Sequence, residues 1–551
     1  MAKRTSFSSE LLIYSLILLL AIFFRFARLG ETSLTEFEAQ AALPAHSLAH
    51  GEAPDLGNQP GYVLFASPVF SLLGSSEFIA RFLPALLGVA LVFLPYFWRD
   101  MLGKKAALVL AFGLAIDPGM VAVSRLASGQ MMAVSAGLIA LTAWRQARPS
   151  LSGIFASIAF LASPLIFLGF IPAVLVAASL RQAGKPKPIP WQDFVVAATI
   201  TLILAGTLFL RAPEGLGGIG GTLSAFIAGF GKPGVPLAEI GLALIGYVLP
   251  ALVFGVIGGI NSWRNNYSIG KVVSLFGVFS LLLILINPGR QIADLLWVVI
   301  ALWILAAIQI AGDLSVPERD LTVALGELAL MLLLGIFFTI ALTKIAADYA
   351  DFVWVAGATL ILAILATVLI AFGWSRSGAV RGFVWSICLF SVLFLVSVSS
   401  RFQRVEISDA NDLWAPGPAA GSDRLFADSL HDLSVLKQGV ANDLAVESHV
   451  ENAALAWELR DTQAATSETG GTSAVIITAA VDTQPEDLAA YRGQSFAISV
   501  QRAWSGWPDN FFAWLIYRQA PTETEQIILW ARADLFPDTQ LIGGPAPDQT
   551  P

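Results

Sequence analysis

Side chains able to do chemistry are scarce in this sequence and concentrate between Arg28 and Tyr62, in RLGETSLTEFEAQAALPAHSLAHGEAPDLGNQPGY. The stretch holds Glu31, Glu36, Glu38, Glu52 and Asp55 together with His46 and His50. A carboxylate placed beside a cavity can take a proton from a hydroxyl, so a general base is expected here, with Glu36 and Glu38 as the candidates. The two lie on opposite sides of a helix but on the same side of an extended segment. Either can instead complement a helix dipole, with Thr35 or Ser33 as the N-cap. Four arginines, Arg28, Arg81, Arg125 and Arg290, fall at the ends of apolar segments on the side of this loop. There a guanidinium can grip a phosphate through two parallel N–H groups while its stem stays in apolar surroundings. The alternatives are interfacial anchoring or an ion pair with Asp117 or Asp294. His46 and His50 can share a helix face and hold a divalent metal with Glu52 or Asp55, or remain polar interface residues.

The elements that must position these groups are hydrophobic. Of 551 residues 56% are hydrophobic and only 13% charged, and the mean hydropathy is +0.72. Apolar runs near the length that crosses a bilayer recur from Leu11 to Val398 without strand-like alternation, which predicts a mostly α, polytopic membrane protein of about thirteen transmembrane helices. Lys3 and Arg4 precede the first run, Leu11 to Ala27, so the N-terminus is expected in the cytoplasm and the 28–62 loop outside a plasma membrane. The 62–74 segment is too short to cross and is expected along the outer interface. Further runs include 106–121, 240–260 and a helical pair at 151–180 broken near Ser163-Pro164, ending at the basic RQAGKPK loop. The glycine-rich EGLGGIGGTLSAFIAGFGKPGVP stretch has no nucleotide-binding pattern and reads as a connector or a lid.

Residues 401–551 carry 9 basic against 21 acidic side chains. An odd number of spans places this acidic tail outside. The expected division is a membrane domain over 1–400, a linker over 401–421, and a small extracytoplasmic α/β domain over 422–551. In it SLHDLSVLKQG and NDLAVESHVENAALAWELRD have helical spacing, while AVIITAA and SFAISVQRAW read as strands. FFAWLIY, at Phe511–Tyr517, reads as a buried element or an interfacial foot. The lone Cys388 excludes an internal disulfide, and the charge pattern gives no footing for nucleic acid.

The order of features carries a resemblance: a first span ending in RFARLG, an acidic loop, then NQPGYVLFASPVFSLLGSSEFIARFLPALLGVALVFLPYFW, then DPGMVAVSRLASGQMMAVSAGLIALTAW. This resembles the GT-C superfamily of polyprenyl-phosphate-sugar-dependent glycosyltransferases, in the branch of the dolichyl-phosphate-mannose protein mannosyltransferases and aminoarabinose transferases. It is similar also to flippase-associated proteins of glycan assembly. NPGRQIADLLWVV and HVENAALAWELRD are weaker echoes. The resemblance implies a lipid bilayer setting, a lipid-linked sugar donor, a protein, glycan or lipid acceptor, and inversion at the anomeric carbon outside the membrane. It implies Glu38 or Glu36 as base and Arg125, with Arg28, Arg290 or Arg81, on the donor phosphate. Three positions depart from the pattern. Phe37 stands where the family keeps an aspartate, Asn58-Gln59-Pro60 replaces a His-Pro-Pro-like turn, and Gln130 follows the Ser-Arg pair in place of an aspartate.

Two functions of different class follow from these residues: a membrane glycosyltransferase, or a catalytically degenerate GT-C-like scaffold or glycan-assembly partner subunit. A transporter is disfavoured, because the spans lack paired internal charges and matched broken helices in repeated halves.

Overall fold

The computed structural model describes residues 9–179, 191–211, 213, 215–314, 320–403, 410–439, 444–464, 473–480 and 490–536. Lys3 and Arg4, the RQAGKPK loop and the terminal IGGPAPDQTP lie outside these residues. From the N-terminus, α1 (Ser9–Phe26) runs through a helical bundle, and α2 (Glu36–Ala49) and α3 (Pro60–Leu73) follow at one end of it. α4 (Glu77–Phe93) continues into α5 (Pro95–Leu102), and α6 (Lys104–Ile116) bends by 55° into α7 (Pro118–Ser124). Next come α8 (Gln130–Arg145), α9 (Pro149–Ala162), α10 (Ile166–Ser179), α11 (Trp191–Gly206) and α12 (Gly215–Ala228). α13 (Leu237–Tyr247) meets α14 (Leu249–Arg264) at 93°. α15 (Ser268–Ile286), α16 (Leu296–Asp313), α17 (Leu321–Ala346), α18 (Phe352–Gly373) and α19 (Arg376–Arg401) complete the apolar part.

Among the described residues, 7 helices are long and apolar enough to cross a membrane, or 9 when each bent pair is one span. The expected count of thirteen is not reached on that criterion, because α9, α10 and α11 have 14, 14 and 16 residues, short of the roughly 20 that a bilayer asks for. The runs expected as straight at 106–121 and 240–260 are bent. At the first, Pro118 cannot continue the hydrogen-bond ladder, and Asp117 caps the new helix by accepting the Met120 N–H at 2.9 Å. At the second, Pro250 starts α14, and Gly246 lies so close to Trp514 that a Cβ there would sit 2.7 Å from the ring. The break at Ser163–Leu165 between α9 and α10 falls where the sequence placed it.

The glycine-rich stretch is helical rather than an open lid. Its glycines permit close approach: a Cβ on Gly218 would come 2.9 Å from Pro60, and one on Gly221 would come 3.1 Å from the Gly57 carbonyl. α3 occupies the segment expected along the interface, although most of it is buried against neighbouring helices.

The tail forms one six-stranded sheet in the order β1-β5-β6-β4-β2-β3. Its strands are β1 (Ala419–Ala420), β2 (Ala445–Ser448), β3 (Gln463–Ala464), β4 (Val475–Ala479), β5 (Tyr491–Arg502) and β6 (Thr522–Arg532). β5 and β6 form a long antiparallel pair, and β2 runs parallel to β4. α20 (Asp423–Gln438) covers the sheet, and Phe426, Leu430, Val475, Ile477, Phe496 and Leu529 form its core. The segment expected as one long helix over 442–461 contains β2 and only a short helix, α21 (Ala453–Glu458). The Asn452 side chain accepts the Ala454 and Leu455 N–H groups, so it starts the helix there and not earlier.

Two buried tryptophans dock the tail on the bundle. Trp457 of α21 is 0% exposed, packs with α2 and α3, and donates to Glu77 at 3.0 Å. α22 (Phe511–Tyr517) is the FFAWLIY segment, and its Trp514 is also 0% exposed. Beside it the Arg518 guanidinium lies 4.0 Å from the Tyr247 ring and 4.5 Å from Trp514. Residues 410–414, expected within a linker, are buried as well: Trp414 packs on Gly119, and Asp412 accepts the Tyr247 hydroxyl at 2.7 Å.

Candidate functional site

α2 begins with a capping box, in which Thr35 Oγ1 accepts the Glu38 N–H and the Glu38 carboxylate accepts the Thr35 N–H. That local choice turns Glu38 inward, where it is 1% exposed. Oε1 accepts Arg81 Nε at 2.7 Å and the Ala127 N–H at 2.9 Å. Oε2 accepts Arg81 Nη2 at 2.8 Å, the Thr35 N–H at 3.0 Å and the Thr35 hydroxyl at 3.1 Å. Burial pushes this carboxyl up, but the adjoining Arg81 charge and the hydrogen bonds from Arg81, Ala127 and Thr35 hold it below its ordinary value. A saturated, ionised, enclosed carboxylate fastens α2 to α4 and to the turn after α7. It has no spare lone pair for an incoming proton.

The remaining N–H groups of Arg81 donate to the Leu29, Thr32 and Ser33 carbonyls and to the Thr32 hydroxyl. Arg125 donates to the carbonyls of Phe24, Arg25, Ala27 and Arg28, closing the C-terminal end of α1. Arg28, with φ of 56°, pairs with Glu31 at 2.7 Å on the surface. Arg290 donates through Nε and Nη1 to the Val235, Asn287 and Leu285 carbonyls, and its Nη2 has no partner among the described residues. The structure therefore pairs Glu38 with Arg81, places Arg125 near both without an ion pair among the described residues, and gives Arg28 and Arg290 other partners. Asp117 and Asp294, expected as arginine partners, form no ion pair among the described residues. Asp117 instead accepts the Trp303 indole N–H at 2.8 Å.

Glu36, at the first helical position of α2, is half-buried and its carboxylate has no partner among the described residues. Phe37, next along, lines a cavity of about 120 Å³. The cavity walls carry a ring of amides, from Asn58, Gln59, Gln130, Asn287 and Gln291, with Asp294 as the acidic side chain among the described lining residues. Phe226 supplies an aromatic face. The turn Asn287–Asp294 is held by the glycine-rich segment, as Gly289 N–H donates to Gly229 O and Gly234 N–H to Pro288 O, both at 2.8 Å. Gln59 accepts the Gly129 N–H at 2.6 Å, and Gln130 Nε2 donates to Gln291 Oε1 at 3.1 Å. Amides, a carboxylate and an aromatic face suit a neutral hydroxylated ring. Phe37 and Gln130, the two positions where the family pattern has acids, meet in this cavity. The amide ring was not legible in the sequence because the Asn58-Gln59 turn, Gln130 and the Asn287–Gln291 segment lie far apart in the chain and meet only in the fold.

His46 and His50 do share a face, with ring centroids 4.3 Å apart. They are tied up locally, His46 with Ser75 and His50 with the His46 carbonyl. Among the described residues no three His, Cys, Asp or Glu side chains come together in a way that could hold a metal.

The chain aligns over 95% of its length, and 98% of the other chain, with ArnT from Cupriavidus metallidurans bound to undecaprenyl phosphate, at a TM-score of 0.57 and 14% identity. The apo form of that protein aligns at a TM-score of 0.51 and 17% identity over 82% of this chain and 84% of the other. The likeness is one of architecture: this chain has the fold seen in ArnT. A looser likeness, at a TM-score of 0.38 and 12% identity over 83% of this chain and 63% of the other, is to the Archaeoglobus fulgidus oligosaccharyltransferase tethered with an acceptor peptide. No family model matches the sequence. No curated protein matches it either.

Proposed function

We propose that this GT-C-fold protein transfers a sugar from a polyprenyl-phosphate carrier to a hydroxyl acceptor at the outer face of the cytoplasmic membrane. The observation that carries the reading is the amide-lined cavity beneath α2, in a chain that shares its fold nearly end to end with an enzyme caught holding undecaprenyl phosphate. Counting α8 to α11 as short crossings beside the nine longer candidates gives thirteen spans in this reading. The N-terminus is then cytoplasmic, and the tail domain, docked over the end that carries α2, is outside. Arg290 lies in the chain between the lining residues Gly289 and Gln291, its Nη2 has no partner among the described residues, and it is assigned to the donor phosphate. Glu38, Arg81 and Arg125 hold the loop in place. The tail domain, residues 422–551, binds the acceptor or a partner.

A second reading has its own support. Phe37 and Gln130 line the cavity where the family pattern has acids, as a degenerate scaffold subunit would. The test is transfer of label from a panel of radiolabelled polyprenyl-phosphate sugars in membranes containing the wild type or Arg290→Met. The transferase reading expects label in an acceptor and a raised KM for donor in the variant. No transfer from any donor by well-folded wild type, with a protein co-purifying, establishes the scaffold.

A further inference from the structure

We propose that Asp294 is the general base that receives the acceptor's hydroxyl proton, a role that rests on the transferase reading and supplies the carboxylate missing at Phe37. Among the described residues lining the cavity it is the acidic one, and it is 8% exposed. Oδ2 is fixed by the Gln291 N–H at 2.8 Å, the side-chain half of a capping box that opens the turn into α16. Oδ1 has no partner among the described residues. A second observation points to the same occupant. Gln130, 3% exposed, spends its Nε2 on Gln291 while its Oε1 is buried without a donor. An amide oxygen buried without a donor is costly, and a ligand hydroxyl in the cavity is the donor that can satisfy it.

The step balances as a single displacement. The acceptor oxygen forms its bond to the anomeric carbon as the bond from that carbon to the phosphate oxygen breaks. The bonding pair leaves with the phosphate, and the hydroxyl proton passes to Oδ1. Arg290, on the same turn as Asp294, meets the charge on the departing phosphate through its unused Nη2. Neither first-loop glutamate fills this role: Glu38 is saturated by five hydrogen bonds, and Glu36 is not among the cavity-lining residues.

The test uses the full chain in membranes that carry their endogenous acceptors, with single-turnover consumption of a panel of undecaprenyl-phosphate hexoses, and, separately, binding of undecaprenyl phosphate to the purified chain in lipid nanodiscs. Asp294→Asn keeps an oxygen for the Gln291 N–H and so spares the turn, while Asp294→Glu keeps a carboxylate. The expected result is a loss of about 100-fold or more in Asp294→Asn, partial recovery in Asp294→Glu, and binding of undecaprenyl phosphate within about threefold of wild type. Donor consumption at the wild-type rate by Asp294→Asn, or a loss confined to Glu36→Gln, overturns the assignment and leaves the transferase reading standing. A wild type that binds undecaprenyl phosphate but consumes no member of the panel overturns the transferase reading and this assignment with it.

Discussion

Replacing Arg81 by Met keeps an unbranched apolar stem and removes the guanidinium, and the structure sets the size of the effect. The guanidinium donates two hydrogen bonds to Glu38, three to the carbonyls of Leu29, Thr32 and Ser33, and one to the Thr32 hydroxyl. Its loss strands a carboxylate that is 1% exposed, and removing one partner of a buried ion pair costs about 3–5 kcal/mol. At about 2 °C per kcal/mol, the large-domain end of the usual range, the thermal midpoint in detergent should fall by about 6–10 °C. Adding Glu38→Gln to Arg81→Met removes the stranded charge and should recover part of that loss. Intrinsic tryptophan fluorescence during heating follows it, because Trp457 packs against α2. An Arg81→Met midpoint within about 2 °C of wild type would refute the claim that this pair pins the loop. A fully stable Glu38→Gln variant without transfer would return the proton-accepting role to Glu38.

Three further outcomes follow from the geometry. Burial, helped by the charges of Glu77 and Asp423, pushes the Glu458 carboxyl up to about 7, against the pull of Arg460. The folded state then binds more protons than the unfolded one, so the stability this group contributes at low pH is lost as pH rises through about 7. Glu458→Gln should flatten the wild-type decline in unfolding midpoint between about pH 5 and 8. A Cβ on Gly129 would overlap the Ala162 carbonyl oxygen and crowd Gln59 Oε1. Gly129→Ala should therefore cost about 1–3 kcal/mol in denaturant melts, and it should weaken donor binding through the displaced Gln59 wall. Phe37 and Asp294 line one cavity, so Phe37→Asp should restore about tenfold in transfer to an Asp294→Asn background. No gain there would show that the two positions do not reach the same reacting atoms.

The sequence singled out α2 and its loop and several of the residues that line the cavity beside it, but it did not bring those residues together. Glu36, Phe37 and Glu38 are consecutive, and their helical start was visible in Thr35 and the Glu three residues on. Which of them faces the cavity depended on α4 bringing Arg81 to Glu38 across 43 positions of chain. The four arginines looked alike by their place at span ends. All four donate to backbone carbonyls or to Glu31 and Glu38, and only the fold assigns each its partners. Asp294 stood in the sequence as a candidate ion-pair partner, and it lines the cavity because glycines at 229, 234 and 289 let two backbones approach closely.

Composition and hydropathy by themselves determined that the chain is a bundle of apolar helices with a small acidic tail domain, because burying or immersing that much apolar side chain in lipid leaves few other solutions. The order of span, acidic loop and Ser-Arg segment pointed to the architecture that the structure shares with ArnT. Tertiary structure alone decided the packing of Gly246 on Trp514, the burial of residues 410–414, and the amide ring around Asp294. Each of these is a meeting of residues distant in sequence, where packing and hydrogen-bond satisfaction overrode local preference.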